Sequence, residues 1–179
     1  MHSYRIRRKF KYVYYCYPCH FDQPFVNWDN WPDTIVTYLP FIPDVDFFKT
    51  VKKDSIIIFD DNYEQVIKSS AVAQALKIHS RRGFSVILIT QMYFDQGPYA
   101  RIIRNQLNAV VLFRNFGDNA INRRVASQLG VLNQFNEAEI STKNIKFDPV
   151  VILSPEIVDS NAMRVQTNYL ANNYSFCYG

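Results

Sequence analysis

Two adjacent acids, Asp60 and Asp61, directly follow the short apolar run SIIIF at residues 55–59. A buried strand of a parallel sheet delivers the residues at its carboxyl end to the crevice where ligands bind. The first carboxylate is suited to hold Mg²⁺, usually through water, because a hard cation prefers oxygen ligands. The second is suited to orient and polarise an attacking water. The simpler alternative is a strand followed by an Asp-Asp turn that caps the next helix.

A second polar side chain, Gln91, follows the apolar run SVILIT at residues 85–90. If the two strands are neighbours, Gln91 projects into the same crevice as Asp60 and Asp61. A neutral amide there can bond the attacking water or a terminal phosphate, as glutamines do in nucleoside triphosphatases. Alone, Gln91 would be interpreted as a helix cap or a loop contact. The combination of two acids and an amide therefore carries the hypothesis.

Arginines supply a third element. Arg101 and Arg104 lie on the helix predicted after Pro98, just beyond Gln91. Ring ATPases commonly complete each site with an arginine from a neighbouring subunit, which stabilises charge on the transferred phosphoryl group. A solvated basic face is the alternative for each arginine. Four others are candidates for contact with DNA phosphates: Arg81, Arg82, Arg123 and Arg124.

A competing motif, C-x-x-C-H, is formed by Cys16, Cys19 and His20. Haem attachment requires export, and no signal peptide precedes the motif. A thioredoxin-type pair opens a helix, whereas these cysteines end a predicted strand. A zinc site would need a fourth ligand, for which only His2, His79 and Cys177 remain. Coincidence is the favoured interpretation, with a zinc or haem site as the less favoured alternative.

Composition limits the classes of protein to which the chain can belong. The 179 residues carry 20 Lys+Arg against 16 Asp+Glu, a net charge of +4, and 48% are hydrophobic. Such a chain is too apolar for a disordered protein and long enough for a single domain, predicted over residues 1–179. No apolar run approaches the ~18 residues of a membrane span. Three cysteines favour an intracellular location over secretion.

The pattern of apolar residues predicts an α/β fold. The runs SIIIF, SVILIT and AVVLF (109–113) are continuous, which is typical of parallel strands buried on both faces. Helical stretches fall between them, so we expect three layers with helices on both sides of the sheet. Residues 21–50, rich in proline and aromatic side chains, are predicted to be an ordered connecting loop. The other predicted strands are 11–17 and 150–153, and the predicted helices are 62–79, one after Pro98, and one from Asp118 to Gly130.

Four sequence blocks occur in the order seen in a family of viral motors: SIIIFDD, SRRGFSVILITQMYF, RIIRNQLNAVVLFRNFGD and VVILSPEIVDSNAMRVQTN. From Phe10 to Asn168 the chain resembles the poxvirus-, iridovirus- and virophage/polinton-type DNA-packaging ATPases of the FtsK–HerA superfamily. KYVYYCYP and TYLPFIPD also resemble the family's second strand and the segment after it. The resemblance implies a P-loop NTPase-like parallel sheet of the ASCE type. It also implies that Asp60 binds Mg²⁺, Asp61 assists hydrolysis and Gln91 senses the γ-phosphate of ATP.

The same resemblance implies the biological setting. Such motors act as homo-oligomeric rings that drive double-stranded DNA into a viral capsid through its portal components, in an infected host cell or virion. We therefore expect these partners, ATP as substrate, and no contact with a membrane.

The chain departs from the family in one respect, because it contains no G-x-x-x-x-G-K-[ST] motif. This glycine-rich loop cradles the phosphates with backbone N–H groups, a lysine and a hydroxyl. In the family it lies N-terminal to the point where this sequence begins, so the chain resembles a member truncated at its front. The strand that carries the loop would lie between residues 85–90 and 109–113. We therefore expect little activity from the chain alone, with a non-catalytic relic or binding module as the alternative.

Overall fold

The computed structural model describes residues 10–18, 32–113, 120–142, 149–168 and 175–179, with residues 79–81 described in their backbone only. The chain divides into two compact units, one formed by Ile6–Gln106 and the other by Met1–Arg5 with Leu107–Gly179. Among the described helices, none combines the length and the apolar character that crossing a membrane requires.

The unit formed by Ile6–Gln106 is built on a four-stranded parallel sheet. Its strands are β1 (Tyr12–Cys16), β2 (Ile35–Leu39), β3 (Ser55–Asp60) and β4 (Phe84–Ile89). They lie in the order β2-β1-β3-β4, and all three pairs are parallel. The prediction of an α/β chain with a parallel sheet is confirmed for this unit.

Strand β3 lies in the interior of the sheet, between β1 and β4. Alternate side chains of its apolar run face opposite sides, and Ile56, Ile57 and Phe59 are all buried. Isoleucine and phenylalanine suit a strand that is covered on both faces, because β-branched and aromatic side chains pack well on a pleated surface. The interpretation of this run as a buried strand is therefore correct.

Four helices accompany this sheet: α1 (Val45–Thr50), α2 (Tyr63–Val66), α3 (Ser70–Arg82) and α4 (Ala100–Arg104). Each of them contributes side chains to one large apolar cluster, which also contains Ile57 and Phe59 of the sheet. The sequence predicted a single helix over residues 62–79, whereas the structure divides this stretch into α2 and α3.

The opposite face of the sheet carries a smaller cluster of Phe10, Val13 and Ile56, to which no described helix of this unit contributes. Towards the edge of this face, Ile87 and Ile89 of β4 are 43% and 48% exposed. The prediction that SVILIT is buried on both faces is wrong. The physical reason is the lack of cover, because the apolar cluster on this face contains no residue of a described helix and does not extend to β4, the last strand of the sheet.

The other unit contains a four-stranded antiparallel sheet of β5 (Ala109–Leu112), β6 (Val150–Leu153), β7 (Val165–Thr167) and β8 (Phe176–Tyr178). Strand β5 pairs antiparallel to β6. The expectation that AVVLF belongs to a parallel sheet is therefore wrong. The expectation that this run is buried on both faces is also wrong, because Val111 and Phe113 are 43% and 59% exposed. A continuous apolar run favours burial, but the neighbouring strand's direction and the cover on each face depend on distant parts of the chain.

Helices α5 (Ala120–Gln128) and α6 (Leu132–Ser141) belong to the unit with the antiparallel sheet. Gly130 follows α5 with φ at +70°, a left-handed conformation that favours glycine. The Val131 N–H donates to the Ala126 carbonyl, which closes the helix end. The prediction that Gly130 stops this helix is confirmed, while its predicted cap, Asp118, lies outside the described residues.

The segment predicted as a connecting loop over residues 21–50 differs from the prediction where it is described. Residues 32–50 contain both β2 and α1. Asp44 caps α1 by accepting a hydrogen bond from the Phe47 N–H at 2.8 Å. The strand IVTYL is short and lies among prolines and aromatic residues, so the sequence did not indicate it. The helix has six residues, which is too short to show a periodicity. Residues 21–31 lie outside the described part of the chain.

Candidate functional site

The predicted site residues follow two neighbouring parallel strands. Asp60 ends β3 and is aligned with Ile89, which ends β4. The Asp61 N–H donates to the Ile89 carbonyl at 3.3 Å, so the two strand ends stay together beyond the last pair. Gln91 follows Ile89 by two residues. The prediction that these two strands are parallel, with the acids and the amide at the same edge, is confirmed.

Asp60 is half-buried, and its carboxylate is held by a tyrosine from the adjacent strand β1. The Tyr15 hydroxyl donates to Asp60 Oδ2 at 2.5 Å. Burial, together with the hydrogen bond to Asp60 and the negative charge of Asp60, raises the pKa of Tyr15. Among the described residues, the Tyr15 hydroxyl is the hydrogen-bond partner of the Asp60 side chain, through Oδ2. The other carboxylate oxygen of Asp60, Oδ1, has no hydrogen-bond partner among these residues. Reasoning from the sequence did not identify Tyr15 as part of the site.

Asp61 has a different environment from Asp60. Its φ of +50° places it in the left-handed region, and its side chain is exposed. Aspartate adopts this conformation more readily than most residues, and here it ends the strand and begins the turn into α2. The two aspartates therefore have different environments: Asp60 is hydrogen-bonded and half-buried, and Asp61 is exposed.

Asn62 is a further polar residue that the sequence did not single out as part of the site. It is 4% exposed, and both its Oδ1 and Nδ2 atoms are buried without a hydrogen-bond partner among the described residues. It occupies the N-cap position of α2 but makes no side-chain cap hydrogen bond. The Asn62 side chain therefore does not cap this helix. A buried amide without partners is uncommon in proteins and marks this strand end as unusual.

Gln91 lies exposed at the start of the loop between β4 and α4. This loop is fastened by Arg104, whose guanidinium donates to the carbonyls of Tyr93 at 3.1 Å and Asp95 at 3.2 Å. Arg104 therefore holds its own loop, while Arg101 on the same helix is exposed. Of these two candidates for a residue that acts on a neighbouring subunit, Arg101 has the side chain that is better placed to reach outwards.

The four arginines considered for DNA contact belong to two different units, Arg81 and Arg82 to one and Arg123 and Arg124 to the other. Arg82 donates to the Lys49 carbonyl at 3.2 Å. Arg123 forms an ion pair with Glu139 at 2.9 Å. Arg124 is exposed, and the side chain of Arg81 lies outside the described part.

Of the Cys and His residues of the C-x-x-C-H motif, Cys16 is described, whereas Cys19 and His20 lie outside the described part. Cys16 is 0% exposed and belongs to the large apolar cluster beneath the helices. Burial raises the pKa of its thiol to about 12, which disfavours the thiolate that a metal or a redox partner requires. No group of three or more His, Cys, Asp or Glu side chains suited to a metal occurs among the described residues.

The strand end offers oxygen ligands of the kind that Mg²⁺ takes. Asp60 Oδ1 and the exposed carboxylate of Asp61 are hard oxygen donors. Mg²⁺ in nucleotide sites is usually bound through one or two carboxylates, with waters and substrate phosphates as its other ligands. The residues present therefore fit such a cation, and a cluster of three protein ligands is not needed.

Comparison with known proteins yields no relative. The chain matches no protein-family model, no curated protein and no solved structure. The geometry of this strand end and the sequence blocks are therefore the features that indicate a function.

Proposed function

We propose that the unit with the parallel sheet is a Mg²⁺-dependent nucleoside triphosphatase domain of the kind found in viral DNA-packaging ATPases. One observation carries the proposal: Asp60, Asp61 and Gln91 follow adjacent parallel strands at the carboxyl edge of the sheet, in register through Asp60 and Ile89. Ligands of open α/β sheets bind at this edge. The order and spacing of the sequence blocks support the same assignment.

In this proposal the residues divide the work of ATP hydrolysis. Asp60 offers Oδ1 as a ligand, Asp61 accepts the proton of the attacking water, and the Gln91 amide hydrogen-bonds that water or the terminal phosphate. A bound Mg²⁺ supplies neutralisation of the charge on the phosphates. The overall reaction consumes ATP and water and releases ADP and phosphate.

The finer assignment, to a motor that moves double-stranded DNA into a capsid as a homo-oligomeric ring, is supported by the resemblance and by the exposed Arg101. Such a ring would present Arg101 to a neighbouring site. The sequence lacks the glycine-rich phosphate loop. We therefore expect affinity for ATP to be a few kcal/mol weaker than a complete site would provide, since the main phosphate donors are missing.

The test is a titration of the full chain with Mn²⁺ and ATP. Its readout is the paramagnetic relaxation of backbone amide resonances. We expect paramagnetic broadening centred on residues 60–62 and 91, weak nucleotide binding and no steady turnover. Asp60→Asn should weaken the dependence of nucleotide binding on the cation, whereas Asp61→Asn should leave nucleotide binding intact. Asp54→Asn is the matched control, because Asp54 immediately precedes the same strand β3 at its opposite end. Broadening that is absent from residues 60–62 would refute the proposal.

A non-catalytic binding module is the second candidate, and Arg104 favours it. An arginine bonded to two carbonyls of its own loop is a structural residue rather than one free to act on a substrate. Supplying an N-terminal segment with a phosphate loop distinguishes the candidates. Turnover that Asp61→Asn abolishes supports the ATPase, and nucleotide binding without turnover supports the module.

A further inference from the structure

We propose that Tyr15 is a positioning residue for Asp60: its hydroxyl occupies Oδ2 and thereby reserves Oδ1 as the cation-binding oxygen. This inference rests on the proposed function, in which Asp60 holds Mg²⁺, and it goes further by naming the residue that orients the ligand. The partners are 45 residues apart in the chain and meet only because their strands are neighbours.

The register of the sheet brings the two side chains together. Tyr15 of β1 is aligned with Ile58 of β3. Asp60 lies two residues farther along β3 and therefore faces the same side of the sheet. A tyrosine is long enough to cross this diagonal, and its hydroxyl reaches the carboxylate at 2.5 Å.

The Tyr15 side chain is held in place by packing that does not involve the Asp60 carboxylate. Tyr15 is only 7% exposed. Its ring packs beside that of Tyr38 on β2, with the ring centroids 5.8 Å apart. The tyrosine therefore has little freedom to follow the carboxylate, so that the carboxylate adopts the orientation that the tyrosine sets.

A short bond from a hydroxyl to a carboxylate is among the stronger hydrogen bonds in proteins. It fixes rotation about the terminal torsion of Asp60, a torsion that is otherwise broad and nearly two-fold. Without the hydroxyl, either oxygen of Asp60 could face the cation or turn away from it. Outer partners of metal-binding carboxylates typically contribute about 10–100-fold to metal affinity, and Tyr15 has the geometry of such a partner.

The competing explanation is that the bond merely satisfies a buried phenol. A structural role of that kind changes the stability of the fold but not its affinity for a cation. The two explanations therefore differ in cation binding measured on folded protein, which is independent of any enzymatic activity.

The experiment compares the full chain with Tyr15→Phe, Asp60→Asn and a control, Tyr14→Phe. Tyr14 lies next to Tyr15 on β1, and its ring packs against Phe47 of α1. Affinity for Mn²⁺ is measured by water-proton relaxation, and the fold is checked by circular dichroism. We expect Tyr15→Phe to weaken Mn²⁺ binding about 10–100-fold, as for other outer partners. Asp60→Asn should abolish the site, and Tyr14→Phe should bind as the parent does.

The outcomes distinguish a failure of the proposed function from a failure of the positioning role of Tyr15. If Asp60→Asn leaves Mn²⁺ binding unchanged, the proposed function fails and the positioning role with it. If Asp60→Asn abolishes binding while Tyr15→Phe binds like the parent, the positioning role alone is overturned.

The unmodified chain provides an independent measurement that does not depend on the folding of Tyr15→Phe. With ¹³C at the tyrosine Cζ positions, addition of Mg²⁺ should shift the Tyr15 resonance and leave that of Tyr14 in place. An unmoved Tyr15 resonance at saturating Mg²⁺ overturns the inference.

Discussion

Gly97 lies in the loop that follows Gln91, and a methyl group there would collide with the turn between α2 and α3. A Cβ added at Gly97 would come within 2.8 Å of Ile67 Cγ1 and 2.9 Å of the Ile67 carbonyl oxygen. That carbonyl also accepts the Tyr99 N–H at 3.0 Å. The backbone therefore cannot move aside without lengthening the bond that fastens the loop.

We expect Gly97→Ala to lower the free energy of unfolding by about 2 kcal/mol, within the range of ~1–3 kcal/mol for overpacked sites. The reduced entropy of the unfolded chain returns only about 0.4–1 kcal/mol of that loss. The measurement is urea unfolding followed by circular dichroism, with the m-value checked for constancy. A loss below about 0.5 kcal/mol, the usual size of a surface substitution, would refute the close approach.

A double-mutant cycle assigns the effect to the collision. Ile67→Ala removes Cγ1 and by itself should cost about 2–5 kcal/mol as a cavity. In the Gly97→Ala background it should cost about 1 kcal/mol less, because the added methyl occupies part of that space. The rescue remains partial since the carbonyl oxygen stays in place. Strict additivity of the two substitutions would mean that Gly97 and Ile67 do not touch.

Two further predictions concern side chains elsewhere in the chain. Arg164→Met should destabilise the unit with the antiparallel sheet by about 2 kcal/mol, because its guanidinium donates to the carbonyls of Leu129 at 3.0 Å and Leu153 at 3.2 Å; unchanged urea unfolding would contradict this. Cys16 should alkylate more slowly than the exposed Cys177 at about pH 8.5, where an ordinary thiol is half ionised. Peptide mass mapping measures both rates, and equal rates would show that Cys16 is accessible.

The elements that the sequence predicted correctly are those with strong local patterns. SIIIF is a continuous β-branched and aromatic run of strand length, and it forms β3 at nearly the predicted bounds. Gly130 ends α5 in the left-handed conformation for which glycine is favoured. Val150–Leu153 forms β6 at the predicted residues. In each case the signal lies within a few residues, where intrinsic preferences decide the conformation.

The apolar pattern predicted the parallel pairing of SIIIF with SVILIT correctly, but not the pairing of AVVLF. AVVLF is as apolar as SIIIF, yet it pairs antiparallel with β6. SVILIT is equally apolar, yet Ile87 and Ile89 remain partly exposed on the face whose apolar cluster contains no residue of β4 or of a described helix. The position, direction and cover of a strand depend on contacts between distant segments, which a local apolar pattern does not record.

In the candidate site, too, residues next to a local pattern could be predicted, whereas a residue brought in by strand pairing could not. Asp60, Asp61 and Gln91 could be named because each directly follows an apolar run. Tyr15 could not, because its bond to Asp60 depends on the register between β1 and β3. Nothing in the sequence distinguishes Tyr15 from the neighbouring Tyr14, since the two differ only in the face of the strand they occupy.

This difference of faces also explains how adjacent identical acids can take different roles. Alternation along β3 places Asp60 on the same face as Tyr15, which fixes one of its oxygens. The left-handed turn at Asp61 ends that alternation and leaves its carboxylate exposed. A fixed carboxylate suits a ligand that must hold one orientation, and an exposed carboxylate suits a group that must accept a proton from water. The roles proposed for the two acids are consistent with the environment of each side chain, in the way that environment separates the roles of paired carboxylates in known hydrolases.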